Sequence, residues 1–286
     1  MTLPKKYHFI SEDILGDIFY LDGISNRGRM TLIRQYAEII CRVLLQIDDH
    51  FMLGKFEQRL AKSLSNAILK EKIIDCVKVI VDLGNAATHI DKDLKDEIID
   101  EDCQNALEKL NFLISYLFIN YFRKYGVNKN QEALRIVSLL PPFIRLNIWE
   151  NMYAINNKDI TIVDKLFLSR LKSEGKEKAL LWLENEKNNL ENLPVVDVQQ
   201  CKMNGMSEER IQLCIDNAPY KNMYDLCLKH KLPNLEIQYP DLQFPYDTFE
   251  QAKSFYLSKK QEYHSNVLKP EVQELLDLMD FVYTGR

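Results

Sequence analysis

No two of the six cysteines (Cys41, Cys76, Cys103, Cys201, Cys214 and Cys227) stand at the short paired spacing that zinc sites and disulfide frameworks need. They read instead as free, buried thiols of a reducing cytoplasm. Long hydrophobic runs are also missing. The most apolar stretch, residues 112–122, is about half the length of a membrane span. Lys5 and Lys6 are followed by no apolar stretch, so the beginning of the chain does not read as a secretory signal. Neither charge sign dominates: 37 basic against 42 acidic residues leave a net charge of −5. No global field therefore draws the protein to nucleic acid or to an anionic membrane, and any RNA site has to be a local basic patch. No phosphate-binding glycine loop, dinucleotide fingerprint, nucleophile elbow or metalloprotease helix is present. No cofactor and no metal are expected, and no membrane partner.

Glycine and proline are scarce, nine of each in 286 residues, while apolar residues make up 46% of the chain. With so few interruptions, three- and four-residue apolar spacing prevails and predicts an all-α fold. Residues 1–24 read as an irregular lead-in, with Ile14, Ile18, Phe19 and Leu21 able to pack on the body. Ser25 offers a helix N-cap. Met30, Ile33, Ala37, Ile40, Cys41, Leu44 and Ile47 then mark one apolar face. Arg34, Glu38 and Arg42 form an i, i+4 ladder beside it, a solvated stripe on the blander reading. On the sharper one, Arg34 turns inward toward residues 85–89. Phe56, Leu60, Leu64 and Ala67 predict a second helix; Ile73, Ile74, Val77, Ile80 and Val81 predict a third, with Gly84 placed as its C-cap.

Residues 91–102 carry seven acids against two lysines. Acids gather ahead of a helix start because the macrodipole favours them there, so this cluster reads as a solvated approach rather than a metal site. A fourth helix over 102–122 is apolar nearly all round at its end, as in a core or a subunit interface. The four helices would close an antiparallel bundle over residues 25–124.

A polar junction at Tyr125-Gly126 then opens a helical-hairpin region, 125–193. Pro142 starts one helix, Asp159 or Thr161 caps the next, Gly175 closes it, and Ala179, Trp182 and Leu183 define another. The last region, 194–286, holds short helices near 207–217 and 222–230. A proline-spaced extended segment follows, with Leu235, Ile237 and Tyr239 alternating: an edge strand or, more readily, irregular chain. Thr248 and Gln251 make a capping box, and Pro270 opens the final helix.

Asn85 and His89 share a helical face four residues apart. Together with Ile33-Arg34, Glu38 and the run Leu83-Gly84-Asn85-Ala86-Ala87-Thr88-His89, they give residues 25–122 a pattern that resembles the HEPN superfamily of bacterial helical domains. It is most similar to the branch found alone or fused to restriction-endonuclease subunits. The resemblance extends more loosely through residues 139–145 and 164–166.

It implies an N-terminal HEPN-like four-helix bundle followed by a helical C-terminal region, a homodimer formed through the bundle, and service in defence against phage or foreign nucleic acid. A protein partner in a defence system and RNA are both implied. In HEPN ribonucleases an arginine shortly before the histidine grips the scissile phosphate while the imidazole moves protons. Here Asp82, Leu83 and Gly84 hold no cation, Val81 gives none upstream, and Lys78 lies a turn too early. The preferred reading is therefore an interaction module without catalysis of its own. Its rival is a metal-independent ribonuclease using His89, Asn85 and Arg34. For RNA phosphates the candidate cations are Lys78 and the run Arg170, Lys172, Lys176 and Lys178, whose bland reading is a solvated helix face. A third class, a receptor for a small ligand between the two helical regions, would require an apolar pocket.

Overall fold

The computed structural model describes residues 8–19, 23–47, 50–60, 67–88, 97–240, 244, 246–264 and 268–285. Among these residues the fold is all-α, and the nearest thing to a sheet is one isolated antiparallel bridge between Pro194 and Asn222. The chain divides into two compact units. The first comprises Met1–Gly126, Asn130–Leu139 and Lys253–Arg286; the second comprises Val127–Lys129 and Leu140–Ala252. The last helices thus return to the first unit, an arrangement that consecutive reading from 25–124 through 125–193 to 194–286 does not contain.

In the first unit, α1 (His8–Phe19) buries Ile14, Leu15 and Ile18, so the expected irregular lead-in is in fact helical there. Three apolar residues at positions 14, 15 and 18 share one helical face, and packing on α2 (Asn26–Leu45) stabilises a segment with little capping signal. Ser25 caps α2 by accepting from the Gly28 N–H at 3.2 Å. Met30, Ile33, Ala37, Ile40 and Cys41 are buried as their spacing required. The second expected helix is described only as α3 (Phe56–Leu60), where Phe56 and Leu60 are buried.

Then come α4 (Ala67–Thr88) and α5 (Asp100–Tyr125). These two and α2 pack on one another. Asp100, Glu101 and Asp102 fill the first turn of α5, and the Asp102 carboxylate accepts from the Ile99 N–H at 3.0 Å. The acids at 91–96 lie outside the described residues. No metal-holding cluster occurs among the described ones. α5 buries residues 113–119 entirely.

Two later elements complete this unit's packing. α6 (Gln131–Val137) is capped by Asn130, and α16 (Pro270–Thr284) packs against α1, α5 and α6. Phe281 of α16 meets Tyr36 of α2 at a ring-centroid distance of 5.8 Å. Tyr121 donates to the Glu271 carbonyl, and the buried Tyr283 hydroxyl donates to the Leu139 carbonyl at 2.7 Å.

The second unit centres on α7 (Pro142–Ile155) and α8 (Ile160–Ser173). Pro142 sits in the first turn of α7, and Asp159, rather than Thr161, caps α8. α9 (Lys176–Asn185), α10 (Lys187–Glu191), α11 (Val198–Met203), α12 (Glu208–Asn217) and α13 (Met223–Leu226) follow. A five-residue π-helical segment (Cys227–Lys231) joins α13 to α14 (Leu232–Gln238). The expected strand or irregular segment is therefore helical over residues 232–238. Pro233 falls in the first turn, where a missing N–H is harmless, and Leu232 and Leu235 point inward three residues apart. Ile237, which fits the alternating pattern, is 79% exposed. Val163, Phe167, Leu171, Ala179, Leu183 and Leu190 form the core. Trp149 is buried, while Trp182 packs half-buried on that core.

α15 (Phe249–His264) begins at the capping box expected of Thr248 and Gln251: Gln251 N donates to Thr248 Oγ1 at 3.2 Å, and Thr248 N donates to Gln251 Oε1 at 3.1 Å. Cys41, Cys76, Cys103 and Cys227 are buried free thiols, whereas Cys201 is half-buried and Cys214 exposed, so the expectation of six buried thiols is corrected at those two.

Candidate functional site

The sequence predicts a break at Gly84 within the run 83–89. Instead α4 continues through Gly84 and Asn85 to Thr88. A glycine costs helix stability, but this one is not a cap, because it gives up its side chain to admit a neighbour. A Cβ on Gly84 would stand 2.5 Å from Arg34 Cδ, 3.1 Å from Arg34 Cβ and 3.2 Å from Arg34 Cγ. The Arg34 stem lies across the glycine, so Arg34 leaves the expected ladder. Only the Glu38–Arg42 rung remains, at 3.0 Å. Arg42 also donates to the Phe51 carbonyl and lies 5.4 Å from the Phe51 ring centroid.

The final turn of α4 is held by side chains. Thr88 Oγ1 donates to the Gly84 carbonyl at 2.9 Å, and Arg27 Nη1 donates to the carbonyls of Ala86 at 2.8 Å and Ala87 at 3.2 Å. A cation at a helix C-terminus satisfies carbonyls that lack intrahelical partners and offsets the negative end of the macrodipole. Beside this joint, Asn26 Nδ2 donates to the Ile98 carbonyl and to Asp100 Oδ1, tying the start of α2 to the start of α5.

Arg34, Gly84 and Asn85 are thus brought to one helix junction, with Gly84 buried and Arg34 and Asn85 half-buried. His89 lies outside the described residues. The sequence pattern at 83–89 does not single out Arg27, although the chain holds a signal for it. α2 has no acid in its first turn but carries Arg27 and Arg29 near its start, where the macrodipole disfavours cations. Arginines kept there have work elsewhere, and Arg27 spends its guanidinium on α4.

The lysines and arginine of the second unit expected to bind RNA stand in different surroundings. Arg170 pairs with Glu150 and Glu174 and lies 5.5 Å from the Trp182 ring centroid. Lys176 pairs with Glu236 at 2.6 Å, and Lys178 is exposed. Lys172 is tucked between aromatics, its Nζ 5.1 Å from the ring centroids of both Tyr239 and Phe244. Burial pushes its ammonium down to about 8, with the like charges of Arg145 and Lys165 adding to the shift and Asp247 opposing it. Arg145 is itself 6% exposed and lies 5.5 Å from the Tyr246 ring centroid. In the first unit Lys78 stands exposed on α4.

His50 is exposed, and His230 sits against Tyr220 and Asn234. Compared with known proteins, the chain matches no family model, no curated protein and no solved structure.

Proposed function

We propose that the chain is a HEPN-like interaction module that pairs with a second copy through its N-terminal helices, engages a protein partner in bacterial defence against phage or foreign nucleic acid, and has no catalysis of its own. The observation that carries this reading is the internal use of the polar groups at the end of α4. The carbonyls of Gly84, Ala86 and Ala87 are taken by Thr88 and Arg27, and the Arg34 stem is packed on Gly84. A phosphate grip needs cations and amides aimed into open solvent. Here one cation closes a helix end and the stem of another fills a glycine notch. The resemblance supplies the defence setting and the dimer, and the spacing of the cysteines the cytoplasmic location; no described helix is long and apolar enough to cross a membrane.

The second reading, a metal-independent ribonuclease using His89, Asn85 and Arg34, is favoured by one feature. The Arg34 stem crosses α4 at Gly84, five residues before His89 in the chain. Incubation of structured and single-stranded RNA with the protein in chelator, compared with His89→Ala, separates the two. The module leaves RNA intact in both samples. Cleavage that is lost in a folded His89→Ala variant replaces it with the enzyme. Sedimentation equilibrium at micromolar concentration tests the pairing, with a dimer expected and a monomer contradicting it.

A further inference from the structure

Lys172, near the end of α8, is half-buried yet makes neither a hydrogen bond nor an ion pair among the described residues. The three donors of its ammonium find no protein oxygen there. Two rings stand in place of one. Nζ lies 5.1 Å from the centroids of Tyr239 and of Phe244, and those centroids lie 5.1 Å from each other. The three points form an equilateral triangle, so both rings stand to one side of the nitrogen and leave its other side uncapped by them. Ring faces attract a cation, but they return only part of the hydration that burial removes.

The charges nearby act in the same direction. Burial comes first in pressing the ammonium toward its neutral form, and the like charges of Arg145 on α7 and Lys165 on α8 add to it. Asp247, in the exposed stretch before α15, opposes them. Lys165 pairs with Asp164 at 3.2 Å, and Arg145 is 6% exposed beside the Tyr246 ring. Neither has to bind anything for its charge to act on Lys172. A desolvated lysine beside another cation is a nucleophilic amine near neutral pH. At pH 7.5 about a quarter of an amine with a value of about 8 is neutral, against about a thousandth of a lysine in water. A less basic nitrogen is a weaker nucleophile, which removes about a factor of ten and leaves an advantage on the order of tenfold.

The electrophile follows from what the site gains. An amide ends the basicity of the nitrogen, whereas an imine formed with an aldehyde can take the proton back, so acylation relieves the buried charge more fully. The half-buried position favours a short acyl chain on a small leaving group. We propose that Lys172 is an acylation site whose neutral amine attacks the carbonyl carbon of a short-chain acyl phosphate. The N–C bond forms as the C–O bond to phosphate breaks; inorganic phosphate leaves with the electron pair, and the proton lost from nitrogen passes to water. The product is an uncharged amide beside the Tyr239 and Phe244 rings, reached without any change of oxidation state.

The probe is acetyl phosphate, incubated at pH 7.5 with the full chain, both native and unfolded in guanidinium chloride. Deuterated acetic anhydride then caps the remaining lysines of the unfolded protein, and mass spectrometry of proteolytic fragments reads the rate at each site from the isotope ratio. Folding ordinarily shields an amine from a reagent. Lys172 is expected to do the opposite and react at least about fivefold faster in the native chain than in the unfolded one, an acceleration not shared by the exposed Lys178. The native rate at Lys172 is expected to level off above about pH 8, whereas the unfolded rate keeps rising to pH 9.5. A native rate at Lys172 no greater than the unfolded one overturns the proposal. So does an equal acceleration at Lys178, or a native pH profile that rises in parallel with the unfolded one.

Discussion

Arg34 lies across Gly84 so closely that the helix it crosses has no space for a single methyl group. Alanine at 84 would gain about 1 kcal/mol of helix propensity but collide with Arg34 Cδ at 2.5 Å and crowd the rest of that stem, which alanine at 34 would remove, and overpacking costs about 1–3 kcal/mol. Gly84→Ala is expected to lower stability by about 1 kcal/mol in urea unfolding. In the Arg34→Ala background the same change should be neutral or stabilising. A double-mutant cycle without coupling would show that the close approach has no energetic weight.

Arg27 is expected to hold the end of α4 rather than any ligand. Arg27→Met removes two charge-assisted hydrogen bonds to backbone carbonyls and should cost about 1 kcal/mol. Hydrogen exchange should locate the loss, with amides of residues 84–88 exchanging faster and those of α5 unchanged. Faster exchange spread evenly over the unit would contradict the assignment.

Lys172 gives the second unit a pH dependence of defined sign. Its folded value is depressed to about 8, below the roughly 10.4 of an unfolded lysine. Between these values the unfolded chain holds more protons, so this group's destabilising effect is complete below about 8 and fades as pH rises toward 10. Lys172→Met should therefore stabilise the protein at pH 7 by on the order of 1 kcal/mol, after allowance for solvent screening, and the advantage should shrink by pH 9.5. An advantage that grows with pH would reverse the sign.

Gly285 ends α16 in the left-handed region at φ 72°, and a Cβ there would stand 2.6 Å from the Ser11 backbone carbon. Backbone cannot yield as a side chain can. Gly285→Ala is expected to cost about 2–4 kcal/mol, more than Gly84→Ala, with α1 losing exchange protection first.

What was legible in the sequence is what is decided locally. Ser25, Asp159, the Thr248–Gln251 pair, Pro142 and Pro270 each mark a helix start because an N-terminus is satisfied by residues within one turn of it. The apolar faces of α2, α4, α5 and α16 followed for the same reason, since burial repeats with the helical period. Illegible were the features set by a distant partner. α1 is helical because its apolar face is buried by packing. Gly84 looks like a stop until Arg34 is placed against it, and Leu232 and Leu235 declare a helix only once their side chains meet the core. The surroundings of the basic run at 170–178 were hidden for a related reason: besides the local Glu174, the counter-ions Glu150 of Arg170 and Glu236 of Lys176 are 20 and 60 residues away in the chain.

Most of the second unit is an insertion in the sequence of the first, because Leu140–Ala252 falls between α6 and α16 along the chain. A growing polypeptide therefore presents α2, α4 and α5 at the ribosome long before α16 arrives to cover Tyr36 and receive the Tyr121 hydroxyl. The inserted unit is synthesised in full during that interval and is free to mature first. The first unit is then the last part to finish folding, and interrupted synthesis leaves its apolar flank open to chaperones and proteases.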